Sequence, residues 1–68
     1  MVTGTVKILY ESEGFALVVP DSGAYDIVVQ AILLQRLGLG LLEQGQRVRC
    51  SVEADRHGRA SATHIALL

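Results

Sequence analysis

The chain has 68 residues, a formal net charge of −1 and a hydrophobic fraction of 50%. This length supports one domain, 1–68, of the size that buries only about 60% of its unfolded surface. The composition excludes a disordered chain, and the near-neutral charge excludes a broad basic field for polyanions. A lone cysteine, Cys50, excludes an internal disulfide and a multi-cysteine metal site.

In chain order, Val2 to Tyr10 alternates loosely and reads as a strand. Glu11-Ser12-Glu13-Gly14 is a turn, and Phe15 to Val19 is a second strand ended by Pro20. Asp21-Ser22-Gly23 supplies the side-chain cap and the positive φ of another turn. Asp26 to Gln30 reads as a third strand, and Ala31 to Leu37 as a short helix or helical turn ending before Gly38. After a turn at Gln44-Gly45, Arg47 to Ala54 alternates cleanly. Val48, Cys50 and Val52 share one face; Arg47, Arg49, Ser51 and Glu53 share the other. Asp55-Arg56-His57-Gly58 is a hairpin turn, and Ala60 to Leu68 closes the chain as a fifth strand. Short strands joined by tight turns suggest a meander that closes into a small barrel.

The frame of several short motifs is intact. Gly4-Thr5-Val6-Lys7, Gly14-Phe15, Pro20-Asp21-Ser22-Gly23, Asp26-Ile27-Val28-Val29 and Glu43-Gln44-Gly45-Gln46-Arg47-Val48 occur in that order. In spacing, the chain resembles the cold-shock domain family, which typically reads GTVKWFN, KGFGFI, a PDDG-like turn, DVFVH and EGQxV. The resemblance covers nearly the whole chain. It implies an all-β fold: a small five-stranded antiparallel OB-fold barrel with a short helical turn between strands 3 and 4. Relative to the family, one extra residue stands between Gly58 and Ile65. It also implies a function, the binding of single-stranded RNA or DNA.

Such a barrel holds single strands by stacking bases on outward aromatic rings and by placing basic residues along the phosphates. The inward set is present, with Val6, Val18, Ile27, Val29, Leu34, Val48 and Val52 as expected core and Cys50 where the family usually has Phe. The outward set is mostly aliphatic. Ile8 and Leu9 stand where the family has Trp and Phe. Leu17 and Val28 replace Phe, Gln30 and Ala31 replace His and Phe, and Leu39 replaces another common aromatic. Glu13 stands in place of the usual Lys. The whole chain has three aromatic residues, Tyr10, Phe15 and Tyr25. A nucleic-acid face is therefore expected at Lys7, Ile8, Tyr10, Phe15, Leu17, Val28 and Gln30, with Tyr10, Phe15 and Tyr25 as a reduced stacking platform if they point the same way. Binding should be weak, poorly sequence-selective and strongly salt-dependent.

A second reading has a different class. Ile8, Leu9, Leu17, Val28 and Leu39 would form an outward aliphatic stripe, and contiguous apolar patches mark contacts with other proteins or with a second copy. On that reading the barrel no longer binds nucleic acid and serves as a protein-interaction or homo-oligomerisation module.

Charge is uneven along the chain. Residues 1–34 hold Lys7 against Glu11, Glu13, Asp21 and Asp26, whereas residues 35–68 hold Arg36, Arg47, Arg49, Arg56 and Arg59 against three acids. The four arginines from Arg47 to Arg59 are either a basic edge for phosphate or a solvated strand face. His57, His64 and Cys50 match no zinc spacing. The serines lack a nucleophile-elbow context, Glu11 and Glu13 read as a solvated turn, and Gly38-Leu39-Gly40 is too short for a phosphate loop. No catalytic residue, cofactor or metal is expected. No secretory leader pattern or membrane-length apolar run is present, and the single cysteine suits a reducing compartment, so the expected location is cytoplasmic.

Overall fold

A computed structural model describes residues 1–68. The elements are β1 (Val2–Tyr10), β2 (Phe15–Pro20), β3 (Ile27–Gln30), α1 (Ala31–Arg36), β4 (Arg47–Ala54) and β5 (Ala60–Leu67). The strands close into a barrel in the order β1-β2-β3-β5-β4. Every seam is antiparallel except that between β3 and β5, which is parallel through Val28 opposite Ser61. This is the small all-β OB-type barrel implied by the motif spacing.

The core is aliphatic. Val18, Ile27, Val29, Val48 and Cys50 are fully buried, with Val6, Ala16, Leu34, Leu42, Ala62 and Ile65 around them. Val52, expected in the core, is only partly buried and packs on its edge. Fully burying a Val or Ile side chain contributes ~1.5–3 kcal/mol, so this small cluster carries most of the stability. Gly4 lies opposite Pro20 and Val48. A Cβ there would stand 2.4 Å from the Val19 carbonyl oxygen, so no side chain fits without moving β2.

Two irregularities set which side chains face out. β1 slips between Val6 and Ile8, so that Val6 faces Val18 while Ile8 faces Leu17 and Lys7 is the extra residue. β4 and β5 slip between Ser51 and Val52, opposite His64 and Ala62, which makes Thr63 the extra residue of the closing strand. Its hydroxyl donates to the Ser51 carbonyl at 3.3 Å.

Helix α1 starts directly from β3. Gln30 gives it no side-chain cap, but the Ala31 N–H donates to the Gly14 carbonyl at 2.9 Å, tying the helix to the β1–β2 turn. It ends at Gly38, which adopts φ 71°, and the Leu39 N–H returns to the Leu34 carbonyl at 2.9 Å. No helix is long and apolar enough to cross a membrane.

Candidate nucleic-acid interface

Residues opposite each other on paired strands share a face of the sheet. One outward row is Ile8 on β1, Leu17 on β2 and Val28 on β3. The adjoining outward row is Tyr10, Phe15 and Gln30. Six of the seven expected nucleic-acid residues therefore lie in two neighbouring rows, and Lys7 stands beside them at the β1 bulge. Tyr10 and Phe15 form one platform, with ring centroids 4.8 Å apart and planes inclined at 32°. Tyr25 is not part of it. It lies in a separate recess with Val52, Glu53, Ala54, Gly58 and Ala60, at the β4–β5 hairpin.

The aliphatic stripe needs two corrections. Leu9 pairs with Ala16 and packs against the core, because the Lys7 bulge sends Ile8 out and Leu9 in. Leu39 also packs against the core, drawn there by its backbone bond to Leu34. The outward stripe is Ile8, Leu17 and Val28 alone.

Arg59 joins the face. The parallel β3–β5 seam brings it into a shallow recess with Glu13, Phe15, Val28 and Gln30. In the sequence it is one of several arginines near a hairpin, and only the long-range closure selects it. Both cations of this face are partly neutralised. Lys7 Nζ is 3.6 Å from Asp26 Oδ2, and Arg59 Nε is 3.3 Å from Asp55 Oδ2. Asp55 is held below the usual carboxylate range by the Arg59 backbone N–H, helped by that of His57 and by both residues' charges. Arg47 is engaged away from these rows. Its guanidinium binds both oxygens of Asp21, at 2.6 and 2.9 Å, and the Thr5 hydroxyl at 3.0 Å. No group of three or more His, Cys, Asp or Glu gathers to hold a metal ion.

No protein-family model matches the chain. Individual relatives do. The chain is 36% identical over 66 residues to cold shock protein CspA of Rhizobium meliloti (strain 1021), covering 96% of each. It is 35% identical over 66 residues to cold shock-like protein CspE of Escherichia coli (strain K12), covering 97% of this chain and 96% of the relative.

The chain belongs to the cold-shock protein family.

Cold shock protein CspV of Vibrio cholerae gives a similar match, 35% over 65 residues. Glycines, turns and inward valines keep the strand positions, while Ile8, Leu17, Val28 and Gln30 occupy the rows around the Tyr10–Phe15 pair. The arrangement offers two rings, a short aliphatic row, one amide and two half-neutralised cations. That set is suited to touching flat, negatively charged, flexible ligands.

Proposed function

We propose that this protein binds single-stranded RNA or DNA, weakly and with little sequence selectivity, in the cytoplasm and without catalysis or cofactor. The observation that supports this most is the Tyr10–Phe15 pair on the outer face, flanked by Lys7 and Arg59. Two rings supply stacking of ~1–3 kcal/mol per base, which tolerates any base because each has a π face. Ile8, Leu17 and Val28 exclude water beside the stack but give it no flat polarizable surface. Asp26, Asp55 and Glu13 reduce the grip of the two cations on phosphate.

The test is a titration of labelled oligouridine and oligothymidine across a range of salt. Two phosphates neutralised on a single strand give a slope of log K against log salt of roughly −1.4. A micromolar or weaker dissociation constant is expected, similar for both oligonucleotides, with a slope shallower than the sequence implied because Asp26 and Asp55 already pair Lys7 and Arg59. A nanomolar constant at physiological salt would overturn the weak-binding reading, and no saturable binding at low salt would overturn nucleic-acid binding itself.

A second reading rests on the in-register row Ile8, Leu17 and Val28. The row is an aliphatic strip on the outer face, and covering it with a second copy or a protein partner removes it from water. Light scattering separates the two readings. A stable dimer that dissociates when the row is charged supports this one.

A further inference from the structure

Beneath the β1–β2 turn, lined in part by Phe15 of the ring pair, lies an apolar cavity of ≈ 250 Å³. Its floor is made by the core residues Ala16, Val29, Leu34 and Leu42, and Leu9 forms part of its wall. The cavity exists because small residues stand at two places. Ala16 leaves the floor low, and Ala31, the first residue of α1, leaves one side of the mouth uncovered. Leu41 stands at the mouth 81% exposed. An enclosed apolar cavity of about 150 Å³ accepts benzene. The larger volume here matches one or two fused rings.

The mouth carries one charged side chain. Glu11 lines the cavity with no cation beside it, because the three ion pairs of the chain join Lys7 to Asp26, Arg47 to Asp21 and Arg59 to Asp55. A carboxylate at the rim of an apolar hole selects the sign of the ligand: it favours a cation and disfavours any anion, phosphate included. We propose that this cavity binds small aromatic cations, molecules of one or two fused rings bearing a protonated amine, with the rings against Leu9, Ala16 and Val29 and the ammonium at Glu11. The site adjoins the nucleic-acid face, because Phe15 lines both this cavity and the recess that holds Arg59.

Three indole probes test it: tryptamine as the cation, 3-methylindole as the neutral analogue and indole-3-acetate as the anion. Each is titrated into the full chain and followed by backbone amide NMR shifts. Tryptamine should bind saturably with a dissociation constant of about 1 mM or tighter, moving the amides of Leu9, Ala16, Ala31 and Leu42. 3-Methylindole should follow, and indole-3-acetate should be weakest. Glu11→Gln, on an exposed turn, should weaken tryptamine by about two- to fivefold, the size of an exposed ion pair, and leave 3-methylindole unchanged. Ala31→Phe should fill the hole and abolish binding of all three while a thermal melt still shows a cooperative transition. If Ala31→Phe fails to fold, Ala31→Leu serves the same purpose. Non-saturable shifts, shifts centred on Tyr10 and Gln30, equal binding of the anion, or tryptamine binding unaffected by Glu11→Gln would each overturn the proposal.

Discussion

Tyr10 and Phe15 face outward from opposite strands of the β1–β2 ladder, and their rings lie 4.8 Å apart at a tilt of 32°. Each ring limits the other's freedom. Tyr10 remains 37% exposed, so its ring is held in place while still accessible to a ligand. Phe15→Ala is therefore expected to weaken oligonucleotide binding by ~1–3 kcal/mol. Tyr10→Ala should do nearly the same, since it frees Phe15 as well as removing a ring. In a double-mutant cycle on unfolding free energy the two rings should couple by ~0.5–1.5 kcal/mol. Fluorescence titration and urea denaturation read the two quantities separately.

Adding rings at neighbouring outward positions should raise affinity. Leu17→Phe and Val28→Phe extend the platform and should each strengthen binding by up to ~1–3 kcal/mol. Leu9→Phe is the control. Its side chain faces Ala16 and the core, so the added ring should leave oligonucleotide affinity unchanged. An equal gain from all three would show that the Lys7 bulge does not orient β1 as described.

The contrast between Leu17 and Leu9 marks the limit of what alternation reveals. Strand positions, the short helix and the buried set Val6, Val18, Ile27, Val29, Leu34 and Val48 were legible, because periodicity, turn residues and family spacing agree there. The faces of Leu9 and Leu39 were not, since a single extra residue at Lys7 inverts everything after it in β1, and Leu39 follows a helix end rather than a strand period. The bulge at Thr63 appears only in the pairing of β5 with β4. Arg59 reaches the site through a contact between strands far apart in the chain, and no local pattern carries that information.

Acid should loosen the barrel at the β2–β3 loop. The hydrogen bonds from Arg47 hold the Asp21 carboxyl below its ordinary 3.8, against an opposing effect of burial and with the Arg47 charge adding a lesser pull. A carboxylate with a depressed folded pKa stabilises above its unfolded pKa, and that contribution is lost as pH falls through the folded value. Unfolding free energy should accordingly be level at neutral pH and decline below about pH 4. Asp21→Asn should lower stability at pH 7, leave it little changed at pH 2, and flatten the decline between them. Both residues are exposed, so the effect is modest. Urea denaturation at each pH measures it.

Cys50 should behave as an inert core residue. It is fully buried between Val2 on β1 and Ile65 on β5, and burial pushes its thiol up. An alkylating thiol reagent at neutral pH should leave the folded protein unmodified over times that fully modify it in denaturant. Rapid modification of the native protein would mean that the β1–β4 seam opens readily.

Charging the aliphatic row tests the protein-interaction reading. Leu17→Lys combined with Val28→Glu places opposite charges directly across β2 and β3. The pair should keep the fold and convert any self-associated species to monomer by light scattering. A wild-type chain that is strictly monomeric at high concentration removes this reading.

The barrel has one weak clasp. At the β3–β5 closure a single register pair, Val28 opposite Ser61, joins strands that run parallel, whereas the other seams have longer antiparallel ladders. Breathing of the native state should begin there, so amide protons along the start of β5 should exchange with solvent sooner than those between β1 and β2. Phe15, Val28 and Gln30 stand on one bank of this clasp and Arg59 on the other. A strand lying across both banks stitches them together, so occupancy of the outer face would slow exchange at the closure, and hydrogen exchange would detect binding at a distance from the rings.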